Sequence, residues 1–545
     1  MVRRSWVIRE RRAFIRKSTV FPKQFRPGPV LWLVLLLAAW GLGGCDDLGG
    51  AEIAPPQPTV TVASTQGDYT VRYRVGDCPF FHEEPDAATA AAITCGYLEV
   101  PQDRNRPNGL QIELAVAVIA AQNERARPDP ILYLEGGPGG GALFAAEEWL
   151  DSALNRDYTI ILMDQRGTGF SWPNLGCPEL DEEGDGDDAF LAALRACRDR
   201  LLDLGVDLAH YHSAAGAQDL ADLRRALGIE QWNLLGISYG TRLALTVLRD
   251  APEGIRSVIL DSVYPPNVNA YEEQALTFAG AIQALLDGCA TDRACNAAYP
   301  DLAEIFYALL EELDVEPLYF YADEIDTDED VEVDAYTFLG VITEALYDTD
   351  SIPYLPQLIV DTYDGYYDLL LWDFLLVDEE GYGRQRPDGA DLPDAASLED
   401  AQGMFYAVEC YEETPFADLD AAYDLAADLH PLLGDLLLQD VVQTLDACAL
   451  WLTEQAPARE AEPVHSDLPT LILAGEYDPV TPPAWARLAA ETLTNHVYVE
   501  LPRGGHGLTF ADDCITDIIL AFLADPSQAP RTRCIRRAVR PFVLP

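Results

Sequence analysis

Residues 234–241 read Leu-Leu-Gly-Ile-Ser-Tyr-Gly-Thr, and this stretch decides the fold. An apolar run begins before it at Trp232, and residues 242–248 after it have the composition of a helix. A Gly-x-Ser-x-Gly pattern between a strand and a helix is typical of a sharp turn that presents its serine above a sheet. We therefore predict that Ser238 has a strained backbone conformation and that Gly236 and Gly240 let strand and helix approach closely. An ordinary strand-to-helix turn is the alternative.

Two glycine-containing loops precede this turn, and each follows a predicted buried strand. Residues 131–134 lead into Glu-Gly-Gly-Pro-Gly-Gly-Gly at 135–141, and residues 158–163 lead into Asp-Gln-Arg-Gly-Thr-Gly at 164–169. The first loop has neither the Gly-Lys-Ser/Thr of a phosphate-binding Walker loop nor the spacing of a dinucleotide fingerprint. Its backbone N–H groups are instead suited to stabilise an oxyanion.

The alternation of strands and helices predicts a mostly parallel sheet. Residues 95–101 and 110–120, joined by Pro-Asn-Gly, predict an antiparallel hairpin at its start. From 267 to 460 helical periodicity replaces the alternation, including runs at 275–286, 302–313, 335–347 and 355–374. We predict that this insertion (residues 267–460) covers the serine; a separate binding domain is the alternative.

The sheet pattern resumes with an apolar strand at 470–475, and two late strand ends supply an acid and a base. Asp478 follows the first of these strands, and His506 follows the strand at 497–501 in a Gly-Gly-His-Gly loop. We expect Ser238 to attack a carbonyl, His506 to take and return its proton, and Asp478 to orient His506. The rival residues do not lie in such loops after a late strand: His465, His496 and Asp467.

Together, the three glycine motifs and the order serine, aspartate, histidine resemble the α/β-hydrolases of the proline iminopeptidase and tripeptidyl aminopeptidase family. The resemblance covers about residues 70–540. It implies an α/β-hydrolase fold, with a mostly parallel central sheet, helices on both faces and a large helical cap insertion. It places the oxyanion donors on the backbone N–H groups of Gly137 and Tyr239. Glu135 departs from the family pattern, which commonly has His or Asn at this position. We expect this difference to change the pocket and to leave the backbone oxyanion donors in place.

The substrate depends on the insertion. Residues 408–415 read Val-Glu-Cys-Tyr-Glu-Glu-Thr-Pro and are similar to a segment of these exopeptidases with an acid two residues after a cysteine. The resemblance implies that Glu412 binds the free ammonium of a peptide, with Glu409 and Glu413 beside it. A solvated acidic surface is the alternative.

We therefore expect an exported serine aminopeptidase of the prolyl or tripeptidyl type. A carboxylesterase or lipase would use the same triad on a small ester, and a binding protein with a vestigial triad is a third possibility. The chemistry needs no metal and no organic cofactor. A formal charge of −55 over 545 residues argues against nucleic acids and anionic membrane surfaces as partners. The acidic surface is explained by solubility, or by attraction of cationic substrates. The sequence does not decide the oligomeric state; we expect a monomer.

The N-terminal residues 1–44 have the pattern of a targeting segment, with nine basic residues and one acidic residue. Their apolar run, 30–42, is short for a membrane-spanning helix. Leu-Gly-Gly-Cys at 42–45 resembles a bacterial lipobox, which predicts lipidation of Cys45 and attachment outside the cytoplasm through the lipid alone. A plain signal peptide or an uncleaved anchor is the alternative, and a twin-arginine-like motif at 11–16 leaves the export route open. The predicted organisation is a tether at 45–66, a core at 67–266, the insertion, and a second part of the core at 461–545.

Ten cysteines follow Cys45, and an even number in an exported protein suggests disulfides. Among many connectivities, pairing in sequence order is the simplest. A zinc site is rejected because there is no Cys-x-x-Cys pair and no histidine at zinc-like spacing. The predicted pairs are Cys78–Cys95, Cys177–Cys197, Cys289–Cys295, Cys410–Cys448 and Cys514–Cys534.

Overall fold

The computed structural model describes residues 59–64, 69–81, 85–180, 186–325, 330–375, 400–452 and 454–545. They belong to one compact unit, Gln57–Pro545. The predicted signal peptide, Cys45 and most of the predicted tether lie outside the described residues. The predicted C-terminal end of the tether is wrong. Thr59–Ala63 forms a strand that pairs with Thr70–Gly76. Its alternating threonines and valines are β-branched and fit a pleated sheet.

Ten strands form the main sheet, in the order β1-β2-β3-β4-β6-β5-β7-β8-β11-β12. Neighbours are antiparallel from β1 to β6 and parallel from β6 to β12, so the mostly parallel sheet is confirmed. The predicted hairpin is β3 and β4. The strands of the main sheet are β1 Thr59–Ala63, β2 Thr70–Gly76, β3 Ile93–Pro101, β4 Gln111–Ile119, β5 Ile131–Leu134, β6 Ile160–Met163, β7 Trp232–Ile237, β8 Ile255–Asp261, β11 Thr470–Gly475 and β12 His496–Leu501.

Helices lie before, between and after these strands. Those outside the insertion are α1 Ala87–Ala92, α2 Ala146–Asp151, α3 Asp187–Asp203, α4 Ser213–Ala226, α5 Tyr239–Asp250, α17 Pro483–Ala490, α18 Asp513–Ala524 and α19 Ile535–Ala538. Those of the insertion are α6 Ala270–Thr291, α7 Arg293–Ala298, α8 Leu302–Val315, α9 Ala322–Ile325, α10 Ala335–Tyr347, α11 Leu355–Tyr363, α12 Asp368–Leu370, α13 Gln402–Glu412, α14 Leu419–Ala426, α15 Pro431–Leu437 and α16 Gln439–Trp451. No helix of the described ranges is both long enough and apolar enough to cross a membrane.

Helices cover both faces of the sheet. Successive residues of a strand point to opposite faces. Leu234 of β7 accordingly packs in an apolar cluster with Leu243 of α5. Leu235 packs in a second cluster with Ile518 of α18. A parallel sheet buried in this way explains why the strands around Ser238 are continuous apolar runs.

The insertion has an apolar core of its own, built around residues such as Phe306 and Phe338. The helices expected at 302–313 and 335–347 correspond to α8 and α10. Two features differ from prediction. The insertion contains a two-stranded antiparallel sheet of β9 Leu318–Phe320 and β10 Val331–Val333. The helix predicted at 355–374 is interrupted after Tyr363. Gly365 has a φ of 84° there and its N–H bonds to the carbonyl of Thr362, which is how glycine ends a helix.

Five disulfides cross-link the described chain. They join the cysteines in sequence order, as predicted: Cys78–Cys95, Cys177–Cys197, Cys289–Cys295, Cys410–Cys448 and Cys514–Cys534. Such bonds persist in oxidising compartments, and five of them indicate an extracytoplasmic protein.

Candidate active site

Ser238 lies at the junction of β7 and α5 with a strained backbone, φ 57° and ψ −126°. The turn is packed without room for side chains on either glycine. A Cβ on Gly236 would lie 2.3 Å from the carbonyl oxygen of Gly240, and a Cβ on Gly240 would lie 2.0 Å from that of Leu134. The strained turn and the need for glycine at both positions are as predicted, and the geometry lifts Ser238 to the carboxyl end of the central strand.

The structure brings Asp478 and His506 together as a buried pair. Nδ1 of His506 lies 3.0 Å and 2.9 Å from the two carboxylate oxygens of Asp478. Asp478 is 1% exposed and His506 is 9% exposed. Thr481, to which the sequence analysis gave no role, donates its N–H and its hydroxyl to the Asp478 carboxylate, each at 2.8 Å. These bonds fix the carboxylate beside the imidazole that it is expected to orient.

Asp261, the last residue of β8, ties the His506 loop to the serine turn. Its carboxylate accepts from the N–H of Leu508 at 3.0 Å and from the N–H of Thr509 at 2.7 Å. Its backbone carbonyl accepts from the N–H of Ser238 at 3.0 Å. Burial raises the pKa of Asp261. The role of Asp261 was not predicted from the sequence; the available signal was a carboxylate at the end of the strand that neighbours the serine strand.

Tyr347, the last residue of α10, packs against His506, and its backbone carbonyl accepts from the N–H of His506 at 2.8 Å. The Tyr347 ring lies 4.2 Å from the His506 ring, between centroids. Among the residues that the structure describes, none offers His506 Nε2 a hydrogen bond. The insertion therefore packs directly against the predicted base.

The glycine-rich loop after β5 lies against the serine. A Cβ on Gly136 would be 3.2 Å from Ser238 Cβ, and Gly137 has a φ of 106°. Tyr239 is the first residue of α5, so its N–H has no acceptor within the helix and is available to an oxyanion. Glu135 braces this loop, because its carboxylate accepts from the N–H of Gly136 at 2.8 Å and from the hydroxyl of Tyr133 at 2.9 Å.

The second glycine loop, after β6, has a structural role. The Asp164 carboxylate accepts from the N–H of Leu143 at 2.9 Å and from that of Phe170 at 2.7 Å. Burial raises the pKa of Asp164 to about 7. A Cβ on Gly169 would lie 2.2 Å from the Asp164 carboxylate, so only glycine fits there. This loop supports the first one, because Nε2 of Gln165 donates to the backbone carbonyl of Glu135 at 3.1 Å.

Three carboxylates of the insertion surround one buried guanidinium of the core. Arg242, on the first turn of α5 after Ser238, lies 3.0 Å from Glu412 and 2.5 Å from Glu413. Glu412 also accepts from the N–H of Ser213 at 2.6 Å. Glu409, Glu412 and Glu413 are 4%, 3% and 2% exposed, so the solvated-surface alternative is wrong.

Among the three carboxylates, the burial of Glu409 is the least offset by neighbouring positive charge. Burial, followed by the charge of Glu413, raises the pKa of Glu409 to about 8. The pKa of Glu413 is also raised by burial. Because three acids face one arginine, the cluster can accept a further cation.

One group of ligand-type side chains within the described ranges has metal-like spacing. Atoms of His212, Glu412 and Glu460 lie within 4.8 Å of one another. Nδ1 of His212 already accepts from the N–H of Ala215, and Glu412 is bound by Arg242, so both are engaged in hydrogen bonds. Burial raises the pKa of Glu460 to about 7 and lowers that of His212 to about 4.

Known proteins are similar to this chain over most of its length. The chain is 25% identical to the serine protease Hip1 of Mycobacterium tuberculosis over 541 residues, covering 92% of this chain and 96% of that protein. It is 27% identical to a tripeptidyl aminopeptidase of Streptomyces lividans over 466 residues, covering 79% and 81%. A thermophilic esterase structure from Thermogutta terrifontis matches with a TM-score of 0.33 and 14% identity, covering 79% of this chain and 99% of that one. The alpha/beta hydrolase fold family matches residues 129–512, more than half of the chain, and the protein belongs to that family.

Proposed function

We propose that this protein is an exported serine aminopeptidase that cleaves peptide bonds near a free N-terminus through an acyl-enzyme. The observation that carries the proposal is the buried Asp478–His506 pair, held by Asp261 against the strained turn of Ser238. Ser238 attacks the carbonyl carbon and His506 accepts its proton, then returns it to the leaving amine. Asp478 stabilises the imidazolium. The serine protease and tripeptidyl aminopeptidase among its relatives support peptide substrates.

The tetrahedral oxyanion would be held by the backbone N–H groups of Gly137 and Tyr239. Both belong to segments that pack directly around Ser238. Such donors commonly contribute about 3 kcal/mol each to transition-state stabilisation. Since the donors are backbone groups, the glutamate at position 135 leaves this function in place.

Recognition of the substrate amine is proposed for the acidic cluster of Glu409, Glu412 and Glu413. Glu412 is held by Arg242 and Ser213, so it contributes mainly charge and position. Glu409 carries the raised pKa, and a substrate ammonium beside it would compensate its burial and favour its ionised form. The cluster is buried next to α5, so it can select for a charged terminus while excluding water.

The test is a panel of chromogenic substrates: free and N-blocked aminoacyl and tripeptidyl amides, and a simple aryl ester. We expect turnover of the free amides, loss of turnover on blocking, and no turnover by a folded Ser238→Ala variant. Glu409→Gln should raise KM for free amides, whereas Glu304→Gln, an exposed carboxylate of α8, should not. Equal cleavage of blocked amides or of the ester would contradict the exopeptidase and favour the carboxylesterase alternative. Activity retained by Ser238→Ala would overturn the mechanism.

We also propose that the mature chain is a lipoprotein anchored through Cys45, on the basis of the lipobox-like residues 42–45. Metabolic labelling with an alkyne fatty acid should mark the wild type and not a Cys45→Ala variant. A labelled Cys45→Ala variant would argue against this anchor. Size-exclusion chromatography with light scattering tests the expected monomer.

A further inference from the structure

The loop that carries His506 is held through five consecutive backbone N–H groups, those of residues 505–509. Core groups accept from the last three. The Ser262 hydroxyl accepts from the N–H of Gly507 at 2.9 Å, and the Asp261 carboxylate accepts from the next two. The first two N–H groups, which include that of His506, bond to groups of the insertion. The loop is therefore anchored by the insertion at its start and by the core at its end.

The insertion supplies its two acceptors from the end of α10 and from the turn that follows it. The Tyr347 carbonyl accepts from the N–H of His506 at 2.8 Å. The Thr349 hydroxyl accepts from the N–H of Gly505 at 3.0 Å. The two backbones are so close that a Cβ on Gly505 would lie 2.4 Å from the Tyr347 carbonyl oxygen. Thr349 is 5% exposed, so water has little access to the N–H that its hydroxyl satisfies.

The turn after α10 is itself fixed on two sides. Within the turn, the Asp348 carboxylate accepts from the N–H of Asp350 at 3.1 Å. The Arg540 guanidinium then joins the turn to the core, because it donates to Asp350 at 2.8 Å and to Asp512 at 2.9 Å. These contacts hold the Thr349 hydroxyl at the place where the base loop needs an acceptor.

We propose that Thr349 is a positioning residue for the reaction, whose hydroxyl fixes the backbone of Gly505 and thereby the imidazole of His506. The inference rests on the proposed serine hydrolase function and extends it, because it makes the insertion part of the machinery that positions the base. Thr349 takes no part in proton transfer. A loop that is anchored less firmly on one side can shift, and a displacement of about 1 Å at a catalytic group can lower the rate about a hundredfold.

The experiment compares Thr349→Val, which keeps the shape of the side chain and removes the acceptor, with Thr349→Ser, which keeps the hydroxyl. On a free tripeptidyl amide we expect Thr349→Val to lower kcat about ten- to a hundredfold while KM stays within about twofold of the wild-type value. Thr349→Ser should recover most of the lost kcat. Thr343→Val is the matched control on α10, because the Thr343 hydroxyl donates to carbonyls of its own helix, and it should keep the wild-type kcat. Circular dichroism establishes that each variant is folded at the assay temperature.

A folded Thr349→Val protein with wild-type kcat would overturn the inference. A raised KM at unchanged kcat would also overturn it, because Thr349 would then act in substrate binding. An equal loss of kcat in Thr349→Ser or in Thr343→Val would assign the effect to stability alone and would contradict the positioning role.

Hydrogen–deuterium exchange of the wild type gives a test that needs neither a variant nor activity. The amides of residues 505 and 506 should exchange as slowly as those of residues 508 and 509, which bond to Asp261. Faster exchange at residues 505 and 506 would show that the insertion does not hold the base loop, and the inference would fail. Failure of the proposed function itself is distinguishable, because the wild type would then not turn over the free amides, whereas the exchange result would be unaffected.

Discussion

The carboxylate of Asp261 accepts hydrogen bonds from both the N–H and the hydroxyl of Thr509, at 2.7 Å and 2.6 Å. Thr509 lies three residues after His506, and Asp261 ends the strand next to the serine strand. A strand end of the N-terminal part of the core thus fixes the loop that carries the base. The distance between Ser238 and His506 is therefore set by the positions of neighbouring strands in the sheet.

Asp261→Ala should lower both stability and kcat. It leaves buried N–H donors of the His506 loop without an acceptor, each costing about 1–3 kcal/mol. Since the loop then loses its register with Ser238, we expect kcat on a free tripeptidyl amide to fall at least about tenfold. Thr509→Val removes a single hydroxyl donor and should have the smaller effect in thermal melts and in kcat. Wild-type kcat in a folded Asp261→Ala variant would show that other contacts position the loop.

Gly240→Ala should prevent stable folding or destabilise the protein by about 3 kcal/mol or more, because the new methyl group would lie 2.0 Å from the Leu134 carbonyl oxygen. Gly280→Ala in α6 is the matched control, since nothing lies within 4 Å of its Cβ position. Alanine is favoured over glycine inside a helix by up to about 1 kcal/mol, so this variant should be slightly more stable. Urea unfolding followed by circular dichroism measures both, and similar stabilities would contradict the packing argument.

Glu409→Gln should become stabilising relative to the wild type as the pH rises. The pKa of Glu409 is raised from 4.5 to about 8 in the folded protein. An acid with a raised folded pKa stabilises the fold most below its unfolded pKa, and that contribution is lost as the pH rises toward the folded pKa. Glutamine does not ionise and avoids this loss.

The measurement is the melting temperature of both proteins between about pH 5 and about pH 9. One pKa unit corresponds to about 1.4 kcal/mol, so a loss of about 2 kcal/mol or more is expected for the wild type. Glu304→Gln should instead differ from the wild type by a constant amount, because Glu304 is exposed. A difference for Glu409→Gln that does not change with pH would argue against an uncompensated carboxyl in the folded cluster.

Removing Cys410–Cys448 should cost more than removing Cys289–Cys295. The two bonds close sequence separations of 38 and 6 residues. The chain-entropy relation gives about 4 kcal/mol for the first and about 2 kcal/mol for the second. Cys410 lies on α13 beside Glu409, so the Cys410→Ser/Cys448→Ser protein should also lose affinity for free amides. Denaturant unfolding and KM compare the two double variants, and the reverse order of stability would contradict the entropic account.

Local sequence patterns were sufficient to predict the mostly parallel sheet, the serine turn and the two late strand ends that carry Asp478 and His506. The strands β5, β7 and β11 are buried, largely apolar runs of four to six residues, and burial on both faces of a parallel sheet produces such runs. Because the carboxyl ends of parallel strands share one edge, residues that follow them converge there. The disulfide pairs followed the chain order and were predicted from it.

The contacts that complete the site depended on tertiary structure. Asp261 and Leu508 are 247 positions apart, and nothing in the residues around either one indicates the other. Tyr347 and Arg242 likewise have ordinary helical surroundings in the sequence, and their partners come from packing of the insertion on the core. Periodicity reports which face of an element is buried, but it carries no information on which distant polar group that face meets. The sequence by itself therefore determined the serine turn, its acid and its base, whereas only the folded chain determined that Asp261 fixes the His506 loop and that Tyr347 packs on His506.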